Sequence, residues 1–267
     1  MLKWFPVALL LITGCVARQK ISSTAPASPS PLINDGKIWS SLFQQRAAEY
    51  KALCLQAFSI ARDRVDEALE KTYVRPIAIV TDIDETFLDN SPYAVHQALQ
   101  GKGYDPATWM QWTARGMADT LPGALGFFQY AAKRGIEIFY ITNREMQEQE
   151  GTLQNLRRFG FPYADAAHLL LRTAESGKEA RRQEVMKKYH IFLLLGDNLS
   201  DFSDLFDKKN EQDRDAAVMQ LQSEFGRRFI ILPNFNYGGW EDALFQHRRD
   251  WTDQQRDSLV RQAVKGY

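Results

Sequence analysis

Four short apolar runs, residues 77–80, 136–141, 191–195 and 229–232, limit the fold of this chain more than any other feature. Each is rich in β-branched or aromatic residues and too short for an ordinary helix, so each reads as a buried strand. Apolar residues recur at helical spacing over 123–134, 148–158, 179–188 and 216–225, between the runs. Strands alternating with helices predict an α/β fold, a parallel sheet flanked by helices on both faces. A further helical pattern over 41–71, as one long helix or two in series, is carried by Leu42, Phe43, Tyr50, Leu53, Phe58, Val65 and Leu69, with Ser40 or Ser41 to cap it.

In such sheets ligands bind beyond the C-terminal ends of the strands. The first run leads into Asp82, Asp84, Glu85 and Thr86, the second into Thr142, Asn143 and Arg144, the third into Asp197, Asn198, Ser200 and Asp201, and the fourth into Asn234. Three strand ends thus deliver carboxylate, hydroxyl and amide groups to one edge. Carboxylates as close as Asp82 and Asp84 repel, so a cation must neutralise them or one must stay protonated. Mg²⁺, a hard ion that selects oxygen, suits them, and Asp197 would complete its site. The four histidines, His96, His168, His190 and His247, are scattered and form no zinc motif. Lys+Arg and Asp+Glu both number 33, so no basic excess points to a nucleic-acid polymer as partner.

The chain has 267 residues, enough for one ordinary domain with appendages or two small ones. Its start reads as processing sequence: Lys3, then a short apolar stretch over 4–12, well below the roughly 20 residues of a spanning helix. Ile12, Thr13, Gly14 and Cys15 resemble the lipobox of bacterial lipoproteins, which implies a signal peptide over 1–14 and a lipid on Cys15. An ordinary secretory signal is the competing reading. Residues 15–38, rich in Ser, Pro and Ala, are expected to be a flexible tether. The folded domain is expected over 39–267. By the same resemblance Val16, which is not Asp, implies a cell-envelope location at the outer membrane. Cys54, in a helical pattern, is expected to be a buried free thiol.

The strand-end residues also carry a family resemblance. Asp82-Ile-Asp84-Glu-Thr86 resembles the first motif of the haloacid dehalogenase superfamily, Thr142 the second, Lys178 the third, and the stretch from Gly196 to Asp201 the fourth. The wording DIDETFLDNSPY, ITNR, GDNLSDF and LPNFNYGGWE is similar to the class C bacterial acid phosphatases, lipid-anchored 5′-nucleotidases of the lipoprotein-e type. Phe87 and Thr81 depart slightly from the pattern. The resemblance implies a haloacid dehalogenase-like, Rossmann-like fold with a small helical cap, and a Mg²⁺-dependent acid phosphatase acting through an aspartyl phosphate. Asp82 would be the nucleophile and Asp84 the acid/base. Thr142 would donate to a phosphoryl oxygen, Asn143 would bind substrate, and Lys178 would offset negative charge. Mg²⁺ would take Asp82, the Asp84 backbone carbonyl and Asp197. Asp201 would act through a water or by fixing Lys178, and Asn198 would support the site from behind.

Each assignment has a plainer rival. Asp82 and Asp84 could cap a loop, Thr142 a helix, and Asp201 could be an N-cap. Lys178 stands near Arg172, Arg181 and Arg182, so a solvated charged face is the alternative.

The insertion over 87–121, with Tyr93, Tyr104, Trp109, Trp112 and Arg115, is expected to form the cap. Trp109 and Tyr237 match base-stacking positions of the family; stacking contributes about 1–3 kcal/mol per base. The rival reading packs Trp109 and Trp112 into the cap core, and Trp240 reads as structural. The implied substrates are nucleoside 5′-monophosphates, including nicotinamide mononucleotide, with a role in nucleotide scavenging. A dehalogenase would not need Asp84 as an acid, a phosphotransferase would differ only in acceptor, and a non-catalytic binding lipoprotein is the alternative from another class. The tail, 246–267, reads as helical and as a surface for a second copy, making a homodimer.

Overall fold

The computed structural model of the protein describes Met1 and residues 32–267. The expected signal peptide, Cys15 and the tether as far as residue 31 lie outside the described residues. Residues 32–38, expected to belong to the tether, are helical, because helix α1 spans Leu32–Arg46. Its buried positions are Asn34, Ser41 and Gln44. A helix that packs through polar groups leaves little apolar signal in the sequence.

Helix α2 (Ala48–Leu69) follows after the single non-helical residue Ala47, so the expected long helix is two in series. Its buried face is Tyr50, Cys54, Ala57, Phe58, Ala61, Val65 and Ala68, a repeat of three and four residues. Of the apolar residues that carry the expected helical pattern, Leu42 on α1 and Leu53 and Leu69 on α2 point outward and are 44%, 42% and 39% exposed. Cys54 is a buried free thiol, as its pattern predicts.

Strand β1 (Ile77–Thr81) leads through the loop 82–87 into the short β2 (Leu88–Asp89). Helices α3 (Ser91–Ala98) and α4 (Pro106–Thr113) come next, then β3 (Asp119–Thr120), antiparallel to β2. The insertion is therefore a two-helix cap on a two-stranded stem. After it come α5 (Ala124–Lys133), β4 (Glu137–Ile141), α6 (Gln149–Phe159) and β5 (Leu169–Leu170). Helix α7 (Glu179–Met186), β6 (His190–Gly196), α8 (Glu211–Gln220), β7 (Phe229–Ile231), α9 (Gly239–Leu244) and α10 (Asp253–Ala263) complete the chain.

The main sheet is parallel with the order β5-β4-β1-β6-β7. Alternate residues feed two cores, the physical signature of a sheet covered on both faces. Ile79, Ile138, Tyr140, Leu193 and Leu195 join Phe58 and Val65 of α2 and Phe128 of α5. Ala78, Val80, Phe139, Ile141 and Leu194 meet Val185 of α7 and Phe202 on the other face. Phe87 fills the first core against Phe128, Tyr140 and Phe161, which accounts for a large residue there.

The topology places the site. Thr81 pairs with Tyr140 on one side and Leu195 on the other. The central strand therefore ends at Asp82 between the end of β4, which carries Thr142, and the end of β6, which carries Asp197.

Helix α1 ties the cap stem to the loop after β7. Gln44 Nε2 donates to Asp89 Oδ1 at 2.7 Å, and Ser41 Oγ donates to Asn236 Oδ1 at 3.1 Å. Helix α10, in the tail, folds back on α1 of the same chain, where Asp257 accepts from the Leu32 amide at 3.0 Å. Among the described residues no helix is long and apolar enough to cross a membrane.

Candidate active site

At the end of β1 the Asp82 amide still donates to Leu195 O at 3.0 Å, so the ladder runs on to the first carboxylate. The chain then turns sharply: Phe87 N and Leu88 N both donate to Ile83 O at 3.1 Å, and Glu85 takes a left-handed φ of 55°. This turn separates the two expected catalytic carboxylates by environment.

Asp82 faces Lys178. The Lys178 ammonium donates to Asp82 Oδ1 and lies 2.6 Å from Asp201 Oδ1. Lys178 is only 5% exposed, and its neighbours Arg181 and Arg182 are also buried, so the solvated charged face is excluded. Arg181 donates to Thr142 O and, at 2.8 Å, to Asn143 Oδ1; Arg182 donates to Asp201 O at 2.8 Å. These cations bind backbone and loops, a use that sequence alone does not distinguish from solvation. Burial opposes the Lys178 charge, and Asp201 and Asp82 more than offset it, holding the ammonium above its usual range.

Asp197 and Asp201 complete an all-oxygen cluster. Asp197 Oδ1 accepts from Thr86 Oγ1 at 3.0 Å and Oδ2 from Asn234 Nδ2 at 2.7 Å. Asp201 Oδ2 accepts from the Asn198 amide at 2.9 Å, so both its oxygens are engaged. A Cβ on Gly196 would stand 2.4 Å from Asp201 Oδ2, which explains a glycine at the end of β6.

Asp82, Asp197 and Asp201 each offer an oxygen within 4.8 Å of the others. Burial pushes the Asp82 carboxyl up to about 7, with Lys178 pulling it down and Asp201 and Asp84 raising it. Burial, then Asp201 and Asp82, hold Asp197 well above the usual carboxylate range. Crowded, buried carboxylates with one ammonium among them fit a hard divalent cation.

Asp84 is held elsewhere. Arg144 Nε lies 3.2 Å from both its oxygens and Nη2 lies 2.7 Å from Oδ1; Asn90 Nδ2 donates to Oδ1 at 2.9 Å. Arg144 is 2% exposed and is itself anchored to Thr152 Oγ1 at 3.0 Å. The sequence places Arg144 at a strand end directly after Thr142 and Asn143 but does not show its role, because nothing local points to Asp84 as its partner. The roles of Glu85, also at a strand end, and of Asn90 are likewise absent from the sequence reading. Glu85 is buried, accepts from the Asn90 amide at 2.8 Å and from the Tyr237 hydroxyl, and is pushed up to about 8, first by burial and then by Asp84.

Thr142 is buried, and its hydroxyl oxygen accepts from the Arg144 amide at 3.2 Å, leaving its proton to donate. Asn143 is exposed, with its side-chain oxygen accepting from Arg181. On the cap, Trp109 packs edge-on against Tyr93 at 5.1 Å between ring centroids, and its ring lies 5.9 Å from the Arg144 guanidinium carbon. Tyr237 is 37% exposed with its hydroxyl on Glu85. Trp112 is not merely cap packing: its Nε1 donates to Asn90 Oδ1 at 2.8 Å.

Comparison with known proteins identifies the family. Acid phosphatase 1 of Solanum lycopersicum is 29% identical over 133 residues, 47% of this chain and 51% of that protein. Vegetative storage protein 2 of Arabidopsis thaliana is 27% identical over 186 residues, 67% and 66% of the two chains. The matched stretches thus span about half to two thirds of these curated relatives. The structure of the class C acid phosphatase from Bacillus anthracis superposes with a TM-score of 0.85 at 39% identity, covering 88% of this chain and 99% of that one. A sequence model of the family described as HAD superfamily, subfamily IIIB (acid phosphatase), matches residues 26–240. With most of its length in that match, this chain belongs to the subfamily IIIB acid phosphatases of the HAD superfamily.

Proposed function

We propose that the chain hydrolyses phosphate monoesters, with Asp82 as nucleophile and Asp84 as acid and base. The observation that carries this reading is the division of labour between the two. Asp82 sits on a buried ammonium beside two further carboxylates, while Asp84, two residues on, is turned away onto Arg144 and Asn90.

In the first half-reaction an Asp82 oxygen attacks phosphorus, the P–O ester bond breaks, and the departing oxygen takes the Asp84 proton. In the second, Asp84 takes a proton from water as that water attacks the aspartyl phosphate. Inorganic phosphate leaves and Asp82 is restored. Lys178 keeps two buried carboxylates from repelling the incoming anion, and the Thr142 hydroxyl and the Asn143 amide donate to phosphoryl oxygens. Asp201 holds Lys178, and the Asn198 amide holds Asp201.

Asp82, Asp197 and the Asp84 backbone carbonyl would hold the cation, and their oxygen-only chemistry favours Mg²⁺. When bound it would supply positive charge against the phosphoryl oxygens and the carboxylate cluster. The Bacillus anthracis enzyme has also been crystallised with tungstate, a tetrahedral oxyanion of the kind this site is suited to hold.

Trp109, beside Arg144, and Tyr237, on Glu85, would flank the substrate and stack a planar base, so nucleoside 5′-monophosphates, nicotinamide mononucleotide among them, are the proposed substrates. A lipid on Cys15 would keep the enzyme at the outer membrane of the cell envelope. There it would strip phosphate from nucleotides so that the nucleosides can be taken up. The outer face of α10 is the proposed contact for a second copy.

The test is phosphate release from AMP, nicotinamide mononucleotide and an aryl phosphate, with Mg²⁺ or a chelator, beside Asp82→Asn. Release that needs the metal and vanishes in the variant is expected. A folded, metal-loaded protein that releases nothing would favour a binding lipoprotein instead.

A further inference from the structure

Asp84 is linked to the cap by a hydrogen-bonded chain whose outer link, Trp112 to Asn90, has no part in the phosphatase reading. Trp112 Nε1 donates to Asn90 Oδ1 at 2.8 Å, and Asn90 Nδ2 donates to Asp84 Oδ1 at 2.9 Å. The amide can face only one way, because an indole N–H only donates and a carboxylate only accepts. Asn90 is fixed by its backbone as well. Its amide donates to Glu85 Oε1 at 2.8 Å, and its carbonyl accepts from the Tyr93 amide at 2.9 Å where α3 begins. It is buried, so its bonds do not exchange freely with water.

Trp112 stands one helical turn after Trp109 on α4. The helix that carries the proposed stacking residue is therefore the helix wired to the acid. Arg144 restrains Asp84 from the β4 side; Asn90 restrains it from the cap side.

We propose that Trp112 and Asn90 are positioning residues through which the seating of α4 aims Asp84 at the leaving oxygen. This rests on the reading of Asp84 as the acid. At that step the Asp84 O–H bond breaks as the O–H of the departing alcohol forms and the P–O bond opens. An acid swung off line slows departure of poor leaving groups most, since alkoxides need the proton and stabilised phenolates scarcely do.

The experiment measures kcat/KM for a series of phosphate monoesters from alkyl to nitrophenyl leaving groups. It uses the full chain with Mg²⁺, Trp112→Phe, Asn90→Leu and Asp84→Asn. The ratio kcat/KM is chosen because it reports steps up to loss of the leaving group. Trp112→Phe keeps an aromatic ring in the cap and removes the N–H donor together with some ring volume, a packing loss that would slow all esters alike. We expect its kcat/KM to fall about tenfold on AMP and less than about threefold on nitrophenyl phosphate, with a steeper leaving-group dependence in the direction of Asp84→Asn. Equal losses on all esters in Trp112→Phe and Asn90→Leu, beside a steepened Asp84→Asn, would overturn the relay and leave the acid assignment intact. An Asp84→Asn variant with unchanged leaving-group dependence would overturn both.

Discussion

Arg144 grips Asp84 through both carboxylate oxygens, with Nε 3.2 Å from each and Nη2 2.7 Å from Oδ1. The guanidinium is buried and braced by Thr152, so it fixes the plane of the carboxylate as well as its charge.

Arg144→Lys keeps the charge and loses the fork, and kcat/KM on AMP is expected to fall about tenfold to a hundredfold. Arg144→Met leaves Asp84 without its cation and is expected to lower stability by about 3–5 kcal/mol, read from denaturant unfolding. Wild-type kinetics in Arg144→Lys would show that the bidentate geometry is unimportant.

The metal-free protein should prefer acid. Asp82 is pushed up to about 7 and Glu85 up to about 8, both chiefly by burial, from usual values of 3.8 and 4.5. Carboxyls raised on folding bind more protons in the folded state. Their contribution is full below about pH 4 and is lost as pH rises through roughly 7 to 8. In chelator the melting temperature is therefore expected to be higher near pH 5 than near pH 8, and added Mg²⁺ should raise it more at the higher pH. Equal melting temperatures at both pH values in chelator would contradict the assigned burial of these carboxyls.

Gly196→Ala puts a methyl group 2.4 Å from Asp201 Oδ2, so Asp201 must move and loosen its hold on Lys178. The expected result is about 1–3 kcal/mol lost in thermal unfolding together with weaker Mg²⁺ binding by calorimetry. Unchanged Mg²⁺ binding would mean that Asp201 does not organise the cluster.

The strands were legible because each is a continuous apolar run buried on both faces, and the chemistry followed from what stands just after them. Strand β5 was not, since Leu169 and Leu170 are too short to show a period. Helix α8 starts at Glu211, five residues before the expected 216. Its signal was Asn210, whose side chain accepts from the Asp213 amide at 2.8 Å as an N-cap. In the site, Asp82, Asp197 and Lys178 were readable from motif order. The role of Arg144 was hidden because its partner lies 60 residues earlier, and that of Asn90 because its partners are Asp84 and an indole 22 residues later.

Cys54 gives a check on the α2 core. Burial pushes its thiol up to about 11. With Cys15 changed to Ser, the native chain is expected to react with a disulfide reagent near pH 8 only as fast as it unfolds. Rapid labelling of the folded protein would contradict the burial of Cys54 beside Tyr50 and Leu121.

In the proposed reaction phosphate passes through Asp82. Quenching the protein in mid-turnover with AMP and Mg²⁺, then reducing with borohydride, converts an aspartyl phosphate to homoserine. Homoserine is expected at position 82 and nowhere else, and none in Asp82→Asn. Steady phosphate release with Asp82 unmodified, or retained in Asp82→Asn, would contradict it.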